Sequence, residues 1–265
     1  MATAIDYPKV LCFGDSLTQY CFNLNDGCWG TIIASRYQRQ VDVINRGFSG
    51  YTSRQAIHML PRILSAFSSC QTVLGTQTDG NPRANTSITA LLVWFGANDA
   101  CTPANVAHVP VDEYGNNLDL IVDQAIASGL PVSRIILITP PEYDHAKWTE
   151  LKGTEGVPAD QIGRAEGRSK LYAEKCVEIA KKRGTQVADI HKAMQAESDW
   201  RSLMEDGLHF NVRGAKFVAD VLIKHLDQLV ANLPIIFPLS ENSKRDNPKE
   251  ELMNWMPRCN EKQTK

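Results

Sequence analysis

The sequence predicts a three-layer α/β fold, with five strands in a parallel sheet and helices on both faces. Three observations carry this. Strand and helix patterns alternate from one end almost to the other, as in strand–helix–strand units with right-handed crossovers. The most apolar strand, Ile88 to Phe95, is a continuous run, which suits the centre of a sheet covered on both faces. The strand patterns also stop at turns rich in glycine, proline, asparagine or aspartate, and an open α/β sheet places its chemistry in the crevice at those ends.

In chain order, Lys9-Val10-Leu11-Cys12-Phe13 is a short apolar strand that stops at Gly14-Asp15-Ser16-Leu17. Trp29 to Tyr37 reads as a helix with Ile32, Ile33 and Tyr37 on one side. Val41 to Asn45 is a β-branched strand, followed by the glycine-rich turn Gly47-Phe48-Ser49-Gly50. Thr52 or Ser53 caps a helix carrying Ile57, Leu60 and Leu64 at helical spacing. Residues 68–87 are polar and aperiodic, which reads as a surface insertion.

After the central strand comes Gly96-Ala97-Asn98-Asp99. A helix over Asp112 to Ser128 then repeats Leu118, Ile121, Val122 and Ala125 and stops at Gly129. Arg134 to Thr139 is a strand closed by Pro140-Pro141. Residues 142–167 are charged, with weak periodicity, and read either as a flap over the carboxyl edge or as a plain solvated connection. A helix through Tyr172, Cys176, Ile179 and Ala180 ends at Gly184, and Thr185 to Ile190 is the last strand. A short helical stretch leads to Asp206-Gly207-Leu208-His209. The final helix carries Ala215, Val218, Ala219, Leu222, Leu226 and Leu229 on one face. Residues 1–231 are expected to form the domain and 232–265 a tail along its surface, anchored by Trp255 and Met256.

Composition narrows the function. The 265 residues are 43% hydrophobic and 22% charged, within the range of folded globular chains. A net charge of -2 supplies no basic stripe for nucleic acid. No apolar run reaches the ~18 residues of a membrane span. Met1 to Pro8 lacks a charged start followed by an apolar core, so a cytoplasmic location is expected. The seven cysteines read as reduced thiols. No Cys-x-x-Cys or His-x-x-x-His spacing occurs, and neither metal nor cofactor is expected.

A serine hydroxyl needs a neighbouring base, a group that orients that base, and donors for the oxyanion that forms. Ser16 is the nucleophile candidate and His209 the base candidate. Asp206 lies three residues earlier on the same turn, where it can fix the imidazole tautomer. Asn98 offers a side-chain NH2 at the end of the central strand. The backbone N–H groups of Ser16 and Gly50 add two donors, glycine at 50 leaving the backbone open to a ligand. Taken singly, each has a plainer reading: Asp206-Gly207 as a turn, Asn98-Asp99 as a cap or Asx turn. Asp189 and His191 form a rival acid–base pair on the same edge, without a turn that would hold both. His58, His108, His145 and His225 are isolated and read as surface or capping residues, and Cys101 as a partly buried structural thiol. No Gly-x-Ser-x-Gly elbow occurs, which excludes an α/β-hydrolase arrangement.

Taken jointly, Gly14-Asp15-Ser16-Leu17, Asn45-Arg46-Gly47-Phe48-Ser49-Gly50, Gly96-Ala97-Asn98-Asp99 and Asp206-Gly207-Leu208-His209, in that order, resemble the SGNH hydrolases, or GDSL esterase/lipase family. The blocks are most similar to its isoamyl acetate-hydrolysing esterase subgroup. The resemblance implies a flavodoxin-like sheet of five parallel strands. It implies Ser16, Asp206 and His209 as triad and Ser16, Gly50 and Asn98 as oxyanion donors, with Gly47 an extra glycine outside the family pattern. The expected activity is hydrolysis of short-chain acyl esters, acetates such as isoamyl acetate first. The partner is then a small-molecule ester, with no nucleic acid and no stable membrane insertion; homodimerisation stays open. The alternatives are the same machinery on carbohydrate acetates, lysophospholipids or thioesters, or a non-catalytic acyl-ligand binding protein.

Overall fold

The computed structural model describes residues 7–67, 87–158 and 161–253. The strands are β1 (Lys9–Gly14), β2 (Asp42–Gly47), β3 (Ile88–Trp94), β4 (Ile135–Ile138) and β5 (Gln186–Ala188). They form one sheet in the order β2-β1-β3-β4-β5, every pair parallel. The helices, in chain order, are α1 (Ser16–Gln19), α2 (Trp29–Arg36), α3 (Ser53–Ser65), α4 (Val111–Ala127) and α5 (His145–Thr154), then α6 (Arg168–Arg183), α7 (Ile190–Gln195), α8 (Val212–Val230) and α9 (Pro248–Met253).

Parallel neighbours need a crossover between them, and the crossover helices cover both faces. Side chains alternate along each strand, so one strand feeds two cores. Val10 and Cys12 of β1, with Leu92 and Trp94 of β3, pack in the layer of α2 and α8. Leu11 and Phe13, with Leu91 and Val93, pack in the layer of α3, α4 and α6. All seven residues of β3 are buried, as its unbroken apolar run predicts. The chain runs from β1 out to β2, then back past β1 to β3. The order therefore reverses between β1 and β3, and a crevice opens at their carboxyl ends.

Four elements differ from the sequence-based expectation. The Ser16 turn is the first turn of α1, because the Asp15 side chain accepts from Leu17 N and caps a helix there. β2 runs on through Gly47, which the sequence places in the following turn. The segment 142–167 contains α5, started by Asp144, whose side chain accepts from Lys147 N. None of the ten residues of α5 is buried, so it carries no apolar stripe to read. The last strand stops at Ala188 because Asp189 caps α7.

The start of the C-terminal tail is tied down at Arg39. That guanidinium donates to the carbonyls of Ile236, Phe237 and Pro238 at 3.2, 2.6 and 2.8 Å, and Ile236 N donates to Arg39 O at 2.7 Å. The expected anchors Trp255 and Met256 lie outside the described residues, as does the 68–87 insertion apart from Ser87. Among the described residues, no helix is long and apolar enough to cross a membrane.

Candidate active site

β1 delivers Ser16 to the crevice, and two glycines make the approach close enough. A Cβ on Gly14 would stand 2.2 Å from Thr18 Oγ1 and 2.5 Å from Trp94 O. One on Gly47 would stand 2.0 Å from Gln19 N. Gly47 therefore has a local role: it lets α1 lie directly against β2. Gln19 and Asn45 stitch the same contact, Gln19 Oε1 accepting from Ser49 N at 2.8 Å and Asn45 Nδ2 donating to Gln19 O at 2.9 Å.

His209 reaches Ser16 from the turn before α8, with Nε2 2.9 Å from Ser16 Oγ. On its other side, Nδ1 lies 2.6 Å from Asp206 Oδ2. A carboxylate only accepts, so the proton sits on Nδ1 and the Nε2 lone pair faces the serine O–H. Asp206 is itself held, its Oδ1 accepting from the N–H groups of Leu208 and His209 at 2.8 and 2.7 Å. Burial works to raise the Asp206 pKa, but the His209 contact and these two N–H groups outweigh it and keep the carboxyl below its usual value. Gly207 (φ +95°) makes the tight turn and lets α5 close on it: a Cβ there would stand 2.6 Å from Asp144 O and 2.8 Å from Trp148 N. Two aromatic rings lie close to the imidazole, Tyr20 at 5.4 Å and Trp148 at 6.3 Å between centroids.

Asn98 and the Gly50 loop meet across the crevice, Asn98 Nδ2 donating to Tyr51 O at 3.0 Å. Gly50 has φ +79°, and a Cβ there would meet no protein atom within 4 Å. The left-handed conformation is what calls for glycine at 50. Just beyond Asn98 and the Gly50 loop, Asp99 accepts from Ser53 N at 3.0 Å and from Ser53 Oγ at 2.5 Å, and Asn117 Nδ2 donates to the same hydroxyl at 2.9 Å. This clamp fastens the loop after β3 to the start of α3. Sequence reading missed it, because Ser53 registers only as a helix start.

The rival pair is not assembled. Asp189 accepts from Thr139 Oγ1 and caps α7, while His191 Nε2 faces Glu142 Oε1 at 3.3 Å. Cys101 is buried, and burial pushes its thiol pKa up, away from a reactive thiolate. His108 and His225 are occupied by Cys101 O and Gln186 Oε1. Arg164 and Trp148, which the site analysis from sequence also missed, lie within the 142–167 segment. Only its charged composition marked that stretch.

Asp15 has a testable electrostatic consequence. Burial, helped by the nearby Asp99 charge, raises its pKa from 3.8 to about 7; the Leu17 N–H, His209 and Arg164 oppose this. Below about pH 4, the usual carboxylate pKa, the group is neutral in both folded and unfolded chains. Between there and about pH 7 the folded chain keeps its proton while the unfolded one releases it, so stability falls as pH rises. Asp15→Asn keeps the cap and removes the titration. Its melting temperature should match that of the wild type at acid pH and exceed it by several degrees at pH about 8. A thermal-melt series whose gap does not change with pH would contradict this.

Residues 12–217, a span that contains all four blocks, match the model of the GDSL-like Lipase/Acylhydrolase family. The isoamyl acetate-hydrolyzing esterase 1 homolog of Rattus norvegicus is 36% identical over 250 residues, covering 93% of this chain and 92% of its own. The isoamyl acetate-hydrolyzing esterase of Saccharomyces cerevisiae is 31% identical over 232 residues, covering 84% of this chain and 87% of its own. In fold, the chain is similar to the lipase/acylhydrolase from Enterococcus faecalis, with a TM-score of 0.61 at 22% identity. That match covers 84% of this chain and 96% of the other.

Proposed function

This chain belongs to the GDSL-like lipase/acylhydrolase family and is a carboxylic ester hydrolase, and from that premise we propose that it is a serine esterase for short-chain acyl esters, acetates first. The observation that carries the reading is the unbroken hydrogen-bonded chain from Ser16 Oγ through His209 to Asp206.

As Ser16 Oγ attacks the ester carbonyl, His209 Nε2 takes its proton, and Asp206 stabilises the imidazolium that results. The carbonyl oxygen becomes an oxyanion, received by the N–H groups of Ser16 and Gly50 and by the Asn98 amide. An NH2 group has two protons. Asn98 donates one to Tyr51 O, which leaves the other for the oxyanion. Collapse of the tetrahedral adduct releases the alcohol, protonated from His209. Water then attacks the acyl-serine by the same steps and frees the acid. The reading keeps the enzyme cytoplasmic, with neither metal nor cofactor.

Small substrates are supported by the likeness to the Saccharomyces cerevisiae isoamyl acetate-hydrolyzing esterase. Hydrolysis of p-nitrophenyl acetate, butyrate and octanoate tests the assignment. kcat/KM should fall from acetate to octanoate, by about 10-fold or more, since even one methylene that does not fit is worth about 1–3 kcal/mol. A rise toward octanoate would replace the short-chain reading with a lipase-like one.

A further inference from the structure

Residues 161–167 lead into α6, and one of their charges ends at Asn98, on the proposed oxyanion side of the site. Arg164 Nη1 donates to Ala97 O at 2.5 Å, and Nη2 donates to Asn98 Oδ1 at 2.8 Å. The arm is anchored at its root. Gly163, at φ +67°, accepts from Thr102 N at 2.8 Å, and a Cβ there would stand 2.1 Å from Asn105 Nδ2. At its tip, the guanidinium lies 5.6 Å from the centre of the Trp148 ring, whose centre is 6.3 Å from that of the His209 ring. Arg164 thus touches neither the serine nor the histidine, yet it is bound to the amide proposed to receive the oxyanion.

The chemistry of the two amide contacts is directional. A guanidinium has donors only and must face the oxygen of the Asn98 carboxamide; the Tyr51 carbonyl accepts only and must face its NH2. Both partners therefore specify the same orientation. The charge on Oδ1 also draws electron density from the amide and strengthens its remaining N–H as a donor. We infer that Arg164 is a positioning residue for ester hydrolysis: it fixes the plane and polarity of the Asn98 amide, so that oxyanion stabilisation depends on the seating of residues 161–167. This rests on the reading of Asn98 as an oxyanion donor.

A residue that merely clips two loops together would affect folding and all steps alike. One that positions a transition-state donor affects kcat, and only while the donor is present. The test uses the full chain with p-nitrophenyl acetate, comparing wild type, Arg164→Met, Arg164→Lys, Asn98→Ala and the Asn98→Ala/Arg164→Met double variant. Arg164→Met should lose about 10- to 100-fold in kcat, the scale of an ångström misplacement, with KM within about twofold. Arg164→Lys should fall between, since an ammonium restores the charge but not the paired geometry. In the Asn98→Ala background, Arg164→Met should cost less than about twofold, because no amide is left to hold. An Arg164→Met enzyme with kcat within about twofold of wild type would overturn the inference. So would the same loss with and without Asn98. If Arg164→Met does not fold, judged by its melting curve, the Lys variant in both backgrounds decides by the same criterion. Ser16→Ala in the same series isolates the underlying reading: activity that survives there brings the inference down with the serine mechanism rather than through Arg164.

Discussion

Ser16→Ala should lower kcat for p-nitrophenyl acetate by about a million-fold, the scale seen when a triad serine is removed from a hydrolase. In the proposed mechanism the loss is large because the serine carries the bond-forming step: without Oγ, His209 has no hydroxyl to deprotonate and no acyl-enzyme forms. What remains is binding plus oxyanion stabilisation of attack by water. The substitution should leave the fold intact. Asp15 caps α1 through Leu17 N, and the close approach of α1 to β1 and β2 depends on Gly14 and Gly47 rather than on the serine hydroxyl. A melting temperature near that of the wild type together with lost turnover is the expected pair of results, and steady-state kinetics beside thermal unfolding checks both. Retained turnover would remove Ser16 from the reaction.

Asn98→Ala is expected to cost about 100- to 1000-fold in kcat, the usual loss for one oxyanion donor. KM should change little, because in the proposed mechanism the amide acts where charge develops in the transition state. The variant also loses the bond to Tyr51 O and leaves the Arg164 guanidinium facing a methyl group, so a stability loss on the order of 1 kcal/mol should accompany it. The two effects separate cleanly, since the kinetic loss is measured on protein kept well below its melting temperature. Turnover close to the wild-type value would mean that Ser16 and Gly50 suffice as donors.

Much of this was legible in the chain, and what was not has identifiable physical causes. β3 declared itself because a strand buried on both faces has to be apolar throughout. α8 did so because nineteen residues at helical spacing leave a long stripe. Ser16, Asn98, Asp206 and His209 were readable because each sits in a short motif at a strand or helix boundary. The structure then joins Ser16, His209 and Asp206 by direct hydrogen bonds, and Asn98 to the Gly50 loop through Tyr51 O. α5 was not readable, since a helix that buries none of its residues writes no periodicity. Gly47 looked superfluous because its reason lies in Gln19, 28 residues earlier in sequence and touching only in the fold. Arg164 was invisible for the same cause: its partner Asn98 is 66 residues away, and nothing local distinguishes it from other surface arginines. Long-range positioning is a property of topology, and single-sequence patterns carry only its local half.

The most direct test of the serine assignment is covalent trapping. Incubation of the wild type with a fluorophosphonate, followed by peptide mass spectrometry, should place one adduct on Ser16, with activity falling in step with labelling. Ser16→Ala should take up none. An adduct on a different residue that tracks the loss of activity, or full labelling of Ser16 with ester hydrolysis unchanged, would contradict the mechanism.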